Sequence, residues 1–540
     1  MNEKQVLALG AEAVAMAAFD CGVQALYGYP GTPSTEVFEK GEELFSEDSN
    51  RKAIWAPNEK VALEMGLGSS YLGKRAMVTM KHVGLNVAMD PFVNAAMTGV
   101  HGGLIVLVAD DPGMHSSQNE QDSRFLADFA NVPCFEPTTI QECYDLLPRA
   151  FEISEKMQLP ILFRLVTRLS HARGVLNRHI SLPLTNKGIV PDSDLNNWIL
   201  IPAYARKQYE KLRTKMDKIV SQIGDLNFLS LKSEKIGVIL AGQGKANLDQ
   251  VASEVPELQN YSQLVVKAYP LDEGLIKKLS AHCDKIYVFE ESYPYLEDKA
   301  RLLSQKAKIH GRRDHTIPFA GELNPLVIRQ TLGFEIPVPF ENIDDLPIRP
   351  PRFCDGCGHM DAYQSLNQAL EKLGLKGHRV FGDVGCYTMG SQSPFFSIHT
   401  CVEMGASVGM TLGAANSGYS PAIGVIGDST FIHSGLTSLV PFARSKKNVN
   451  LLIMDNRVVA MTGQQVSTGH DELESMLIGL GMKKENIHVL SPLPSQTAKN
   501  TEILMEVLKK DEPSVVLFRR ECVRSLQRGV FKKQKDEAQA

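Results

Sequence analysis

At 540 residues the chain is too long for one hydrophobic core and predicts about three domains. Apolar content of 43% and charged content of 22% are ordinary for a globular protein, and a net charge of -5 leaves no basic footprint for nucleic acid. No run reaches the roughly 18 uncharged apolar residues of a membrane span, and nine scattered cysteines predict free thiols in a reducing, cytoplasmic setting.

In chain order, the start MNEKQVLALGAEAVAMAAFDCG has neither the basic region nor the cleavage site of a signal peptide, and reads as a cytosolic helix stopped by Gly22. ALYGYP is a short strand, EKVALEMGLGSSYLG a helix, RAMVTM and GGLIVLVADDPG strands, and PILFRLVTR the strand that closes the set. Strands alternating with helices predict parallel βαβ units and a covered sheet. Segment 181–200 is polar, and the following helix places Leu212, Met216, Ile219 and Ile223 on one face. A second α/β unit begins at Lys235 with KIGVILAG, QLVVKAYP and KIYVFEES; a proline-rich stretch at 335–352 reads as a linker. A third unit from Phe353 carries RVFGDV, AIGVIGD, NLLIMD and SVVLFR, and the polar tail frays. The expected domains are 1–180, 235–334 and 353–530, with a helical connector at 181–234.

Two phosphate-loop-like stretches fail on inspection. GSSYLGKR has Arg75 where Ser or Thr belongs and follows a helix, so Gly73 reads better as a helix C-cap. AGQGKAN follows a strand but lacks the third glycine of a dinucleotide site. Asp428 and Asn456 each follow an apolar run that reads as a strand. In an open parallel sheet, ligands collect at the carboxyl ends of strands. A carboxylate and an amide oxygen there suit Mg²⁺ carrying a diphosphate, with the helix after Ser429 supplying free N–H groups. Ordinary strand-end turn residues are the other reading of the same pair.

Gly427-Asp428-Ser429 followed by Asp455-Asn456 resembles the thiamine diphosphate motif, with Ser429 in place of the usual third glycine; the resemblance counts Ser429 and Thr430 among the cofactor-binding residues. YGYPGTPSTE, NEKVALE, MKHVGLN, ADDPGMHSSQNEQD, CDGCGH, GDVGCYTMG and AMTGQQ extend the resemblance to 2-oxoacid:acceptor oxidoreductases, most of all the large (alpha) subunits of indolepyruvate:ferredoxin oxidoreductases. The resemblance implies three parallel-sheet α/β domains: pyrimidine-binding, transketolase C-terminal-like and diphosphate-binding. It assigns Mg²⁺ to Asp428, Asn456 and the Val458 carbonyl. It lines the cofactor pocket with Cys354, Gly356, Cys357, His359, Gly385, Cys386 and Gly427. It makes Glu59 the acid that activates the aminopyrimidine, a role for which a carboxyl in an apolar pocket is suited; from the residues alone Glu59 reads as a carboxylate beside a helix N-terminus. Glu64 is the rival carboxylate. Thr32 and His82 are candidates for the substrate carboxylate or ketone, although a lone histidine at a strand end is more often structural. Glu290 and Glu291 in the middle unit read as structural or interfacial.

A metal site from Cys354, Cys357, Cys386 and Cys401 is conceivable, but its spacing is looser than that of zinc ribbons or iron–sulfur runs. The cysteine-rich module that commonly ends such alpha subunits has no counterpart after Arg519, where Cys522 stands alone. The expectation is therefore no iron–sulfur cluster on this chain. The implied reaction is oxidative decarboxylation of a 2-oxoacid, aryl pyruvates first, with coenzyme A as co-substrate. A smaller beta (gamma-type) subunit and an iron–sulfur electron carrier are the implied partners, in a hetero-oligomer built on an alpha dimer. A non-oxidative decarboxylase and a non-catalytic assembly subunit are the alternatives.

Overall fold

The computed structural model describes residues 4–180, 182–184, 196–337 and 351–531. The chain divides into two compact units, 1–342 and 343–540. Most of the expected linker 335–352, most of the connector's polar start and the C-terminal tail lie outside the described residues.

Among the described residues the first unit holds two large sheets and the two-stranded pair Lys4–Leu9 with Arg173–Arg178. The larger has seven strands, in the order Ala268–Tyr269, Cys134–Phe135, Ile161–Val166, Leu104–Asp110, Ala76–Lys81, Ala25–Gly28 and Lys52–Trp55. All its pairings are parallel except that of Ala268–Tyr269 with Cys134–Phe135. Its central strands read as unbroken apolar runs because helices cover both faces; every residue of Leu104–Asp110 is buried. The smaller sheet has five strands, ordered Lys308–His310, Lys285–Phe289, Ile236–Ala241, Ser262–Val266 and Phe228–Ser230, the last antiparallel. The helix Pro202–Ile223 buries Leu212, Ile219 and Ile223, the stripe its periodicity predicts.

The start of the chain departs from the sequence reading. Lys4–Leu9 is a strand, and the helix begins only at Gly10. KQVLAL has no helical preference strong enough to resist pairing, and it docks antiparallel on Arg173–Arg178. Gly73 has φ +76° and its N–H reaches the Ser70 carbonyl at 2.9 Å, the C-terminal stop expected of it.

The two sheets of this unit are joined by backbone and by charge. Ala268–Tyr269 follows directly on a strand of the smaller sheet yet pairs into the larger one. Arg124, fully buried, donates to Asp122 at 2.5 Å and to Glu290 at 2.8 Å. Arg164 donates to Asp110 at 2.7 Å and pairs with Glu136, which also accepts from Tyr269 at 2.8 Å. Glu290 further accepts from the N–H groups of Leu296 and Glu297 at 2.9 Å each. Burial still pushes its carboxyl up to about 7. Glu290 thus works as an interfacial residue.

The second unit is built on a five-stranded, wholly parallel sheet, ordered Val380–Phe381, Ala422–Gly427, Val449–Asp455, Ser514–Arg519 and Ile487–Leu490, with a short antiparallel ribbon at Val458–Val459 and Gln465–Val466. The helix Gly358–Lys372 leads into it.

Candidate functional site

In the second unit, Ala422–Gly427 and Val449–Asp455 are parallel neighbours with Gly427 beside Met454. Asp428 and Asn456 therefore follow adjacent strand tips. A helical turn starts at Asp428, passes through a π-turn at Phe431–Gly435 and continues as the α-helix Leu436–Ala443; such π-turns are frequent at functional sites. Asp428 is 1% exposed, and its Oδ2 has no hydrogen-bond partner. Burial and the neighbouring Asp455 hold its carboxyl well above the usual carboxylate range. Asn456 Oδ1 accepts from Val458 N–H at 3.0 Å across Arg457, whose φ is +68°. Val458 then pairs with Val466 in a short antiparallel ribbon. An orphaned, dehydrated carboxylate oxygen beside an amide oxygen and a tight turn is the donor chemistry a hard cation takes.

Two of the expected pocket glycines have a packing reason. A Cβ on Gly427 would lie 2.7 Å from the Tyr387 ring, and one on Gly385 2.2 Å from it. Tyr387 in turn donates to Asp383 and to the Val384 carbonyl, while Thr430 Oγ1 donates to that same carbonyl. Asp383 also accepts from the N–H groups of Gly405 and Ser407, each at 3.1 Å. Burial pushes its carboxyl up to about 6. Ser429, in place of the usual glycine, sits within the first turn without interrupting it.

A cavity of about 70 Å³ opens at the same sheet end, lined by Cys354, Cys357, His359, Cys386, Asp455, Asn456 and Cys522 among others. Gly356, with φ +75°, lets the chain turn between the first two cysteines. His359 is buried, its Nε2 lacks a partner, and burial lowers its imidazole to about 4, so it is neutral. Cys522 reaches the cavity because its N–H bonds to the Asn456 carbonyl at 3.2 Å. The cysteine quartet conceived from the sequence needs correcting: Cys401 is exposed and does not line the cavity, and Cys522 stands in its place. Burial pushes the Cys357 thiol up to about 11 and that of Cys386 up to about 12. Among the described residues no three His, Cys, Asp or Glu side chains form a ready-made cage for a single ion.

In the first unit, Asn58 caps the helix Glu59–Tyr71 by accepting from Val61 N–H at 2.9 Å. This puts Glu59 at the first helical position, 5% exposed. Its carboxyl lies against Gly84, where an added Cβ would come within 2.4 Å of Oε1. Glu64 is exposed and paired with Lys60, a surface role. His82 is fully buried; its Nε2 lies 3.3 Å from the Asn119 carbonyl and its Nδ1 has no hydrogen-bond partner. Thr32 is half-buried in the loop after Ala25–Gly28, the strand that neighbours Ala76–Lys81. The unit thus gathers Glu59, His82 and Thr32 at the carboxyl end of one sheet. Lys81, beside His82, is 8% exposed, although a lysine at a strand end ordinarily faces water.

Comparison with known proteins matches residues 16–178 to the family described as pyruvate flavodoxin/ferredoxin oxidoreductase, thiamine diP-bdg, and residues 383–491 to the C-terminal TPP binding domain of thiamine pyrophosphate enzymes. The chain is 32% identical to the indolepyruvate oxidoreductase subunit IorA of Archaeoglobus fulgidus, over 96% of this chain and 86% of that one. It is 33% identical to IorA of Methanothermobacter thermautotrophicus, over 96% and 87%. The 2-oxoglutarate:ferredoxin oxidoreductase of Magnetococcus marinus, solved with 2-oxoglutarate, coenzyme A and succinyl-CoA bound, shares the fold. Its TM-score is 0.50 at 15% identity, covering 61% of this chain and 65% of that one.

Proposed function

Because the chain belongs to the IorA family of thiamine-diphosphate-dependent 2-oxoacid oxidoreductase subunits, we propose that its substrate is an aryl 2-oxoacid of the indolepyruvate kind. Bound thiamine diphosphate supplies the nucleophilic carbon and the electron sink for decarboxylation. Asp428, Asn456 and the Val458 carbonyl hold the Mg²⁺ that anchors its diphosphate, and the observation that carries this is the buried, partnerless Oδ2 of Asp428. Glu59 holds a proton at the aminopyrimidine, and Thr32 and His82 receive the 2-oxoacid. Coenzyme A takes the acyl group, and a smaller partner subunit completes the enzyme. Likeness to oxidoreductase subunits over 96% of the chain favours this reading over a non-oxidative decarboxylase or a silent assembly chain. Calorimetry tests the anchor: Asp428→Ala is expected to lose Mg²⁺-dependent thiamine diphosphate binding, and unchanged affinity would sink the assignment.

For the electrons we propose a route through the cysteine cavity, in place of the expected cluster-free chain. A [4Fe–4S] cluster takes four thiolates, and Cys354, Cys357, Cys386 and Cys522 line one cavity together with Asp455 and Asn456. These four would hold the cluster, which supplies a one-electron relay beside the cofactor's anchor. Iron and sulfide analysis of anaerobically purified chain tests it, with about four irons expected. Iron-free protein after anaerobic reconstitution would return the electron relay to a partner.

A further inference from the structure

The first unit buries a cation that no ion pair accounts for. Lys81 ends the strand Ala76–Lys81 and is 8% exposed. Its Nζ donates to the Ser116 carbonyl at 2.8 Å, and among the described residues no carboxylate lies within ion-pair distance of it. An ammonium carries three donors, and removing it from water without a counter-charge is strongly unfavourable. Asp111 is the acid whose charge acts on it. That carboxylate is committed elsewhere: Oδ2 accepts from Ser116 N–H at 2.8 Å and Ser117 Oγ at 2.6 Å, and Oδ1 from Thr167 at 2.7 Å.

The surroundings say what the charge faces. An added Cβ on Gly31 would lie 2.9 Å from Lys81 Cβ, so the lysine stem runs over the residue that precedes Thr32. His82 follows in sequence with its Nδ1 unpartnered, and Glu59 abuts Gly84 two residues further on. Loop 111–122 closes on this group through the carbonyls of Ser116 and Asn119. A buried ammonium, a buried histidine and a half-buried threonine thus share the sheet end that carries Glu59.

We propose that the Lys81 ammonium is the counter-charge for the carboxylate of the 2-oxoacid, which leaves His82 to the ketone oxygen. This rests on the reading of the chain as a 2-oxoacid oxidoreductase and adds the determinant that selects acids over neutral ketones. The carboxylate departs as uncharged carbon dioxide, so the interaction belongs to the bound substrate and weakens as the reaction proceeds. Its loss therefore belongs in KM and not in kcat.

The test uses the intact complex with its partner subunit, an aryl pyruvate as substrate and dye reduction as readout, with Lys81→Met and Lys81→Arg. Calorimetry with 3-phenylpropionate and with its neutral amide supplies a measure independent of turnover. Lys81→Met is expected to raise KM at least about tenfold without lowering kcat, and to weaken the carboxylate probe equally while leaving the amide unchanged. Lys81→Arg should stay within about threefold of wild type, because it keeps the charge. If Lys81→Met does not fold, Lys81→Gln takes its place with the same expected split. An unchanged KM, or equal weakening of acid and amide probes, overturns the proposal and makes Lys81 a clamp on loop 111–122. A wild-type complex that binds no thiamine diphosphate and oxidises no 2-oxoacid overturns the broader functional reading instead.

Discussion

Gly84→Ala probes Glu59 without touching it. The added methyl would sit 2.4 Å from Glu59 Oε1, 2.6 Å from Cγ and 2.7 Å from Cδ. Ordinary contact begins near 3.4 Å, so the carboxyl must retreat by about 1 Å, a displacement that costs about 10²-fold where a reacting geometry is involved. Overpacking of this kind also destabilises by about 1–3 kcal/mol, which a melting curve would register. The residues proposed to anchor the diphosphate belong to the second unit, so cofactor affinity should be unchanged. The assay is exchange of the C2 proton of bound thiamine diphosphate, followed by NMR. Slowing of about 10²-fold, approaching that of Glu59→Gln at about 10²–10⁴-fold, is expected. A folded, cofactor-loaded Gly84→Ala that exchanges at the wild-type rate would refute the placement of Glu59 at the aminopyrimidine.

Cys522→Ala should lower the iron content of the chain sharply, whereas Cys401→Ala should leave it intact; elemental analysis and low-temperature EPR distinguish them. Arg124→Ala should destabilise the protein by about 3–5 kcal/mol in denaturant unfolding, because buried Glu290 loses its guanidinium partner. Burial lowers the Lys81 ammonium to about 8 against the pull of Asp111. Binding of 3-phenylpropionate, which needs the protonated form, should therefore weaken as pH rises above about 8, by up to tenfold per unit. Lys81→Arg should flatten that decline, and calorimetry across pH 7–10 checks it.

Much of the second unit was legible because its signals are local. Asp428 and Asn456 terminate apolar runs, and a parallel sheet puts such positions at one edge. Cys522 was illegible for the opposite reason. It lies far along the chain from Cys386, and only the pairing of Ser514–Arg519 with Val449–Asp455 brings it to Asn456. The Lys4–Leu9 strand carries no local signal because its partner, Arg173–Arg178, is equally remote. Lys81 is not legible beside His82, because the carbonyl its ammonium donates to belongs to Ser116, in a loop with no periodicity to announce where it folds back. Glu59 and Glu64 are separated by burial alone: helical phase turns one inward and pairs the other with Lys60.

The short segment Ala268–Tyr269 sets how the first unit can yield to force. It leaves the smaller sheet and pairs into the edge of the larger, while Arg124, on the larger sheet's side, pairs with Glu290 at the end of a strand of the smaller one. Parting the two sheets would break the Arg124–Glu290 pair and leave Glu290 as a buried acid without its guanidinium. Unfolding of the two should therefore be one cooperative event, and amide hydrogens on Cys134–Phe135 should exchange only through it. Whatever flexing the catalytic cycle demands of this half of the chain must come from its loops.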